Sequence, residues 1–132
     1  MAALTPLPNA IYKHLVRTAR KLRRSPEPRG ITYAELAAAV SATHPTHQRS
    51  PKLHAALTEV SRACRRAHLP CLPALVWRAG VGRPGAGYYA VAHPRALSDA
   101  ARAAAWERER ARVFAEAARY PRTLGGANGG AP

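Results

Sequence analysis

Between residues 9 and 24 the apolar positions Ile11, Leu15, Ala19 and Leu22 recur at helical spacing, with Lys13, Arg17, Arg20 and Arg24 on another side. The pattern predicts an amphipathic helix. The stretch Ser25-Pro-Glu-Pro-Arg-Gly30 ends it, because two prolines and a glycine cannot continue the hydrogen-bond ladder. A short strand at Ile31-Thr32 then leads into a second helix. Thr32 can accept from the backbone of Glu35 while Glu35 reaches back to the Thr32 amide, a capping box. Leu36, Ala39 and Val40 supply its apolar stripe, and residues 41–50, with Pro45, read as a turn. Ser50 followed by Pro51 is the clearest helix start in the chain. In this third helix Leu53, Leu57, Val60, Cys64 and Ala67 form one face. His54, Thr58, Arg62, Arg65 and Arg66 form the opposite one at about 100° per residue.

Pro70 and Pro73 end the third helix, and residues 74–78 and 88–91 are rich in branched and aromatic side chains. Both segments read as strands, joined by the Gly/Pro loop 79–87 into a β-hairpin. A last helix is expected over residues 98–119. Trp106, Val113, Ala117 and Tyr120 lie near one face of it, and Glu107/Arg110, Glu109/Arg112 and Glu116/Arg119 make i,i+3 pairs. The expected architecture is mainly α with a small β-hairpin, a winged helix-turn-helix followed by a long C-terminal helix. It divides into an extension at 1–8, the domain at 9–97, the helix at 98–120 and a disordered tail at 121–132.

Charge changes the picture. With 21 Lys and Arg against 7 Asp and Glu in 132 residues, the net charge is +14, a self-repulsion that a polyanion would relieve. A GC-rich genome explains arginine over lysine, but not the scarcity of acids. Two cysteines are too few for a disulfide scaffold, no secretory signal opens the chain, and no apolar run is long enough for a membrane span. A soluble cytoplasmic protein, with no membrane partner, is expected.

Helix, strand, helix, turn, polarised helix and hairpin together suit duplex DNA. The third helix fits a major groove and the hairpin tip reaches an adjacent phosphate. His54, Thr58 and Arg62, with Arg49 and Lys52, are the residues expected in the groove, while Arg65, Arg66, Arg78 and Arg83 would hold phosphates. The segment Thr32-Tyr-Ala-Glu-Leu-Ala37, with Pro70-Cys-Leu-Pro-Ala74, resembles the DNA-binding domain of the O6-alkylguanine-DNA alkyltransferases and alkyltransferase-like proteins over Thr32–Tyr89. The resemblance implies the fold and a DNA-binding mode. It does not carry the transfer chemistry, because Leu72 and Pro73 stand where that family has the histidine and arginine after its nucleophile, so Cys71 would lack activation.

Other chemistry finds little footing. Gly80-x-Gly82-x-x-Gly85 precedes Pro84 and the expected strand rather than a helix, unlike a dinucleotide fingerprint. Cys64, His68 and Cys71, with His44 and His47, match no common zinc spacing. The carboxylates have ready roles in caps and ion pairs, so no nuclease cluster exists, and His93, Ser98 and Asp99 show no triad logic. The expected protein is a non-enzymatic DNA binder, a possible small regulator, without cofactor or metal. Two alternatives stand beside it: a protein-interaction module or homodimer built on Trp106, Phe114 and Tyr120, and an alkyltransferase-like lesion binder.

Overall fold

The computed structural model describes residues 3–124. Its element order is α1 (Pro6–Leu22), β1 (Ile31–Thr32), α2 (Tyr33–Val40), α3 (Pro51–Arg66), a 3-10 turn (Leu72–Leu75), β2 (Val76–Trp77), α4 (Ala86–Ala92), α5 (Asp99–Ala115) and a second 3-10 turn (Ala117–Arg119). The fold is mainly helical with one small sheet.

Local signals in the sequence set the starts of the helices. Thr32 accepts from the Glu35 amide at 3.1 Å, and the Glu35 carboxylate takes the Thr32 N–H at 2.8 Å, completing the capping box of α2. Ser50 accepts from the Lys52 amide at 3.2 Å, with Pro51 in the first turn of α3. At the far end of α3, His68 adopts a left-handed φ of 58°, and the Leu69 N–H returns to the Cys64 carbonyl at 2.9 Å. This closure satisfies a terminal carbonyl and tucks Leu69 inward. Ile11, Leu15 and Ala19 of α1, Leu36 of α2, and Leu53, Val60 and Cys64 of α3 are fully buried in one core.

The expected β-hairpin does not form. Residues 88–91 lie within α4, whose Tyr88 and Tyr89 are buried and which packs against α3. Alternation of aromatic and small residues over so few positions satisfies a strand or a helix equally, and tertiary contact decides. The strand at Val76–Trp77 instead pairs in parallel with β1, Ile31 opposite Val76 and Thr32 opposite Trp77. Gly30 makes that approach possible: its φ is +110°, and a Cβ there would lie 2.1 Å from the Leu75 carbonyl oxygen.

The two ends also differ from expectation. Pro6–Pro8 belong to α1 rather than to an extension, and Pro8 is buried. Helix α5 stops at Ala115, and the 3-10 turn brings Tyr120 down so that its hydroxyl donates to the Pro70 carbonyl at 2.6 Å. The Tyr12 hydroxyl donates to the Pro121 carbonyl, and Leu124 is buried, so residues 121–124 pack on the domain. The rest of the expected tail, 125–132, lies outside the described residues. Arg20 donates to the carbonyls of Ala117 and Tyr120 at 3.2 and 2.8 Å, tying α1 to this segment. Trp106, Phe114 and Tyr120, the aromatic set on which a dimer face was expected, are only 5%, 8% and 2% exposed. They are spent on the chain's own core, with the Trp106 indole N–H donating to the Ala74 carbonyl at 2.8 Å.

Candidate nucleic-acid interface

Helix α3 is polarised as its pattern requires. Leu53, Leu57, Val60 and Cys64 are buried, whereas Lys52, His54, Arg62, Arg65 and Arg66 are exposed and Thr58 is half-buried. Ala67, expected on the apolar face, is exposed because it is the C-cap residue where the chain turns away. Beside α3, the loop between β2 and α4 is closed on itself. The Arg78 N–H donates to the Arg83 carbonyl at 2.9 Å, and the Arg78 carbonyl accepts from Val81 and Gly82 at 3.1 and 2.8 Å. Gly80 and Gly82 take positive φ values of 83° and 77°, which lets so short a loop fold back. It holds Arg78 and Arg83 at the surface, with Val81 half-exposed at its tip.

A cleft of about 520 Å³ lies where the start of α2, the first half of α3 and the start of α4 meet. Tyr33 organises it. Its hydroxyl accepts the Gly85 N–H at 2.9 Å, and its ring lies 5.3 Å from that of His54. Burial pushes the Tyr33 phenol above its ordinary value, against the opposing pull of the Gly85 N–H and the Arg78 charge, so at neutral pH it is a neutral wall. The His54 ring also hydrogen-bonds through Nε2 to the Gln48 carbonyl at 3.0 Å. Arg49, Thr58 and Arg78 line the same cleft.

Two neighbouring grooves extend it. Arg62, Arg65 and Arg66 line one with Ala90 and Val91 of α4. Arg78 and Ala86 are shared between the cleft and the other groove, where Arg83 and Arg102 stand near Asp99. Eight of the nine residues expected at the interface thus line this run of clefts, while Lys52 is exposed at the start of α3 and lines none of them. Two have internal duties as well. Arg65 donates to the carbonyls of Val91 and Ala92 at 2.7 and 3.2 Å, capping α4, and His54 is held by Tyr33 and Gln48.

Sequence reasoning overlooked Tyr33, Gln48 and Arg102. Tyr33 had a signal, since it directly follows the capping threonine and its ring must leave the helix start on one side or the other. Gln48 and Arg102 had none, because their places depend on which loop and which helix meet the cleft.

Cys71 lies away from this surface. It is 2% exposed, its thiol is within 3.8 Å of the Ser61 carbonyl, and its N–H donates to Glu109 Oε2 at 2.8 Å. Burial, with Cys64 and Glu109 nearby, pushes the thiol up to about 12. Cys64 is likewise raised by burial to about 12. Neither is a nucleophile in this state, because attack requires the thiolate. Among the described residues no group of three His, Cys, Asp or Glu side chains could hold a metal ion, and no helix is long and apolar enough to cross a membrane. Comparison of the chain with protein-family models, with curated proteins and with solved structures found no match.

Proposed function

We propose that the protein binds duplex DNA without catalysing a reaction, with α3 lying in the major groove and the closed loop at 78–83 resting on the adjacent backbone in the manner of a winged helix-turn-helix. The observation that carries this reading is the run of arginines from the outward face of α3, through the Tyr33–His54 cleft, to the loop beyond it. Two separate segments supply these cations, and the opposite side of α3 is apolar and buried. Arg66, Arg78 and Arg83 serve phosphates and set position, while Arg49, Thr58 and Arg62 are the groups nearest to base edges. His54 acts from the cleft wall, and Lys52 adds charge at the start of α3.

A duplex that buries this surface releases counterions. For about six neutralised phosphates, log affinity falls against log salt with a slope near −5. A titration of random-sequence duplex across a range of salt measures it, and a slope near zero overturns the reading.

The cleft favours a second reading, the alkyltransferase-like lesion binder. Its aromatic pair, Tyr33 and His54, with the Arg49 and Arg78 side chains at its margin, has room for a base displaced from the stack. Tighter binding to a duplex containing an alkylated guanine than to the same duplex unmodified supports that reading, and equal affinities exclude it.

A further inference from the structure

Helix α1 carries a second row of positive charge that the interface on α3 does not use. Lys13, Arg17, Lys21 and Arg24 are all exposed, and at helical spacing they share a sector of about 80°. Ile11, Leu15 and Ala19, fully buried, mark the opposite side of the same helix. No acidic residue precedes Glu27 in the sequence. The four ion pairs among the described residues all lie between Glu107 and Arg119, so none involves this row. Favourable interaction with the helix dipole accounts for cations in the last turn, such as Lys21. It does not account for Lys13 and Arg17 in the middle. His14 reports the local field: burial, and then the charge of Arg17, hold its pKa below the ordinary value.

The direction of this row matters. Helices α1 and α3 pack against each other and bury their apolar stripes in one core, so their charged faces point away from each other. A single duplex lying along α3 does not lie along α1 as well. From Lys13 to Arg24 the row is about 16 Å long at 1.5 Å rise per residue, enough to follow several phosphates of a duplex that carries about one charge per 1.7 Å of axis.

We infer that the outward face of α1 is a second surface for duplex nucleic acid, so that one molecule holds two duplex segments together. The inference rests on the reading of α3 as the first surface, and one experiment separates the two. A biotinylated random duplex is immobilised, the protein is added, and capture of a second, fluorescent duplex is measured at low salt. Affinity for a single duplex is measured in parallel.

The wild-type protein is expected to capture the second duplex. The variant K13Q/R17Q/K21Q/R24Q, with substitutions only at exposed positions, is expected to lose capture at least tenfold while its single-duplex affinity stays within about threefold. Unchanged capture by that variant assigns the bridging to self-association and overturns the inference. So does wild-type protein that binds one duplex and captures no second. A variant R62Q/R66Q/R78Q with unaltered single-duplex affinity overturns the α3 reading, and the two-surface inference with it. Circular dichroism and thermal unfolding of each variant confirm that the fold is retained.

Discussion

Helices α3 and α5 are nearly equal in length, 16 and 17 residues, and both carry several arginines, yet the arginines meet opposite fates. Four of the seven acidic residues of the chain lie between Asp99 and Glu116. There Arg110 pairs with Glu107 at 2.5 Å and stacks 4.4 Å over the Trp106 ring. Arg112 reaches Glu109 and Glu116 at 3.3 and 3.5 Å, and Arg119 also pairs with Glu116. On α3 the one acid, Glu59, is turned to the backbone N–H and hydroxyl of Thr5, leaving Arg62 and Arg66 without a carboxylate. Exposed ion pairs of this kind stabilise by little, about 0.2–1 kcal/mol each. Their larger consequence is to cancel potential over α5 and leave it standing over α3, so a net charge of +14 is a local property of particular faces.

The comparison can be broken first at the thiols beneath α5. With pKa values raised to about 12 from an ordinary 9.0, Cys64 and Cys71 have roughly a thousandfold less thiolate at neutral pH than free cysteine. Labelling by a thiol reagent is expected to be slower by at least that factor. Fast labelling of Cys71 in the folded protein would mean that the C-terminal cover opens.

The same shifts set a pH dependence. A thiol whose pKa is higher folded than unfolded contributes stability that is full below pH 9 and is lost as pH rises toward 12. The midpoint of urea unfolding should therefore fall steadily across that range, and Cys64→Ala should flatten the decline.

Trp106→Ala removes the indole that fills the space between α5 and the Leu72–Leu75 turn and leaves the Ala74 carbonyl without its donor. A loss of about 3–5 kcal/mol is expected in denaturant unfolding, together with faster thiol labelling. A loss below about 1 kcal/mol would show that α5 is not part of the cooperative fold.

On the other side of the comparison, Ala at Arg62, Arg66 and Arg78 together should weaken duplex binding by about 100-fold at moderate salt and make the salt slope shallower by about 3. Stability should stay within about 0.5 kcal/mol per site. The smallest effect tests the pairing itself. Glu107→Gln with Glu116→Gln releases three arginines of α5 and should raise duplex affinity a few-fold, read by the same titration. No change would mean that α5 faces away from any bound duplex.

Much of this molecule follows from signals confined to a few neighbouring residues. The capping box at Thr32 and Glu35, the Ser50-Pro51 start, the i,i+3 pairs of α5 and the two-sided character of α3 were all legible, because one helical turn contains the information. The interface residues on α3 could be named for the same reason.

Other features have no local cause. The partner of Val76 is Ile31, reached only because Gly30 lets two backbones meet. Tyr88-Tyr-Ala-Val91 is helical because α3 supplies a surface for its tyrosines and Arg65 accepts the task of satisfying its last carbonyls. Whether Trp106, Phe114 and Tyr120 faced a partner or the core was equally undetermined by their spacing, since periodicity marks which side of a helix is apolar but not what covers it. Helix limits and charge patterns belong to the sequence alone, and the cleft, the parallel strand pair and the buried C-terminal segment exist only because distant parts of the chain compete for the same apolar surface.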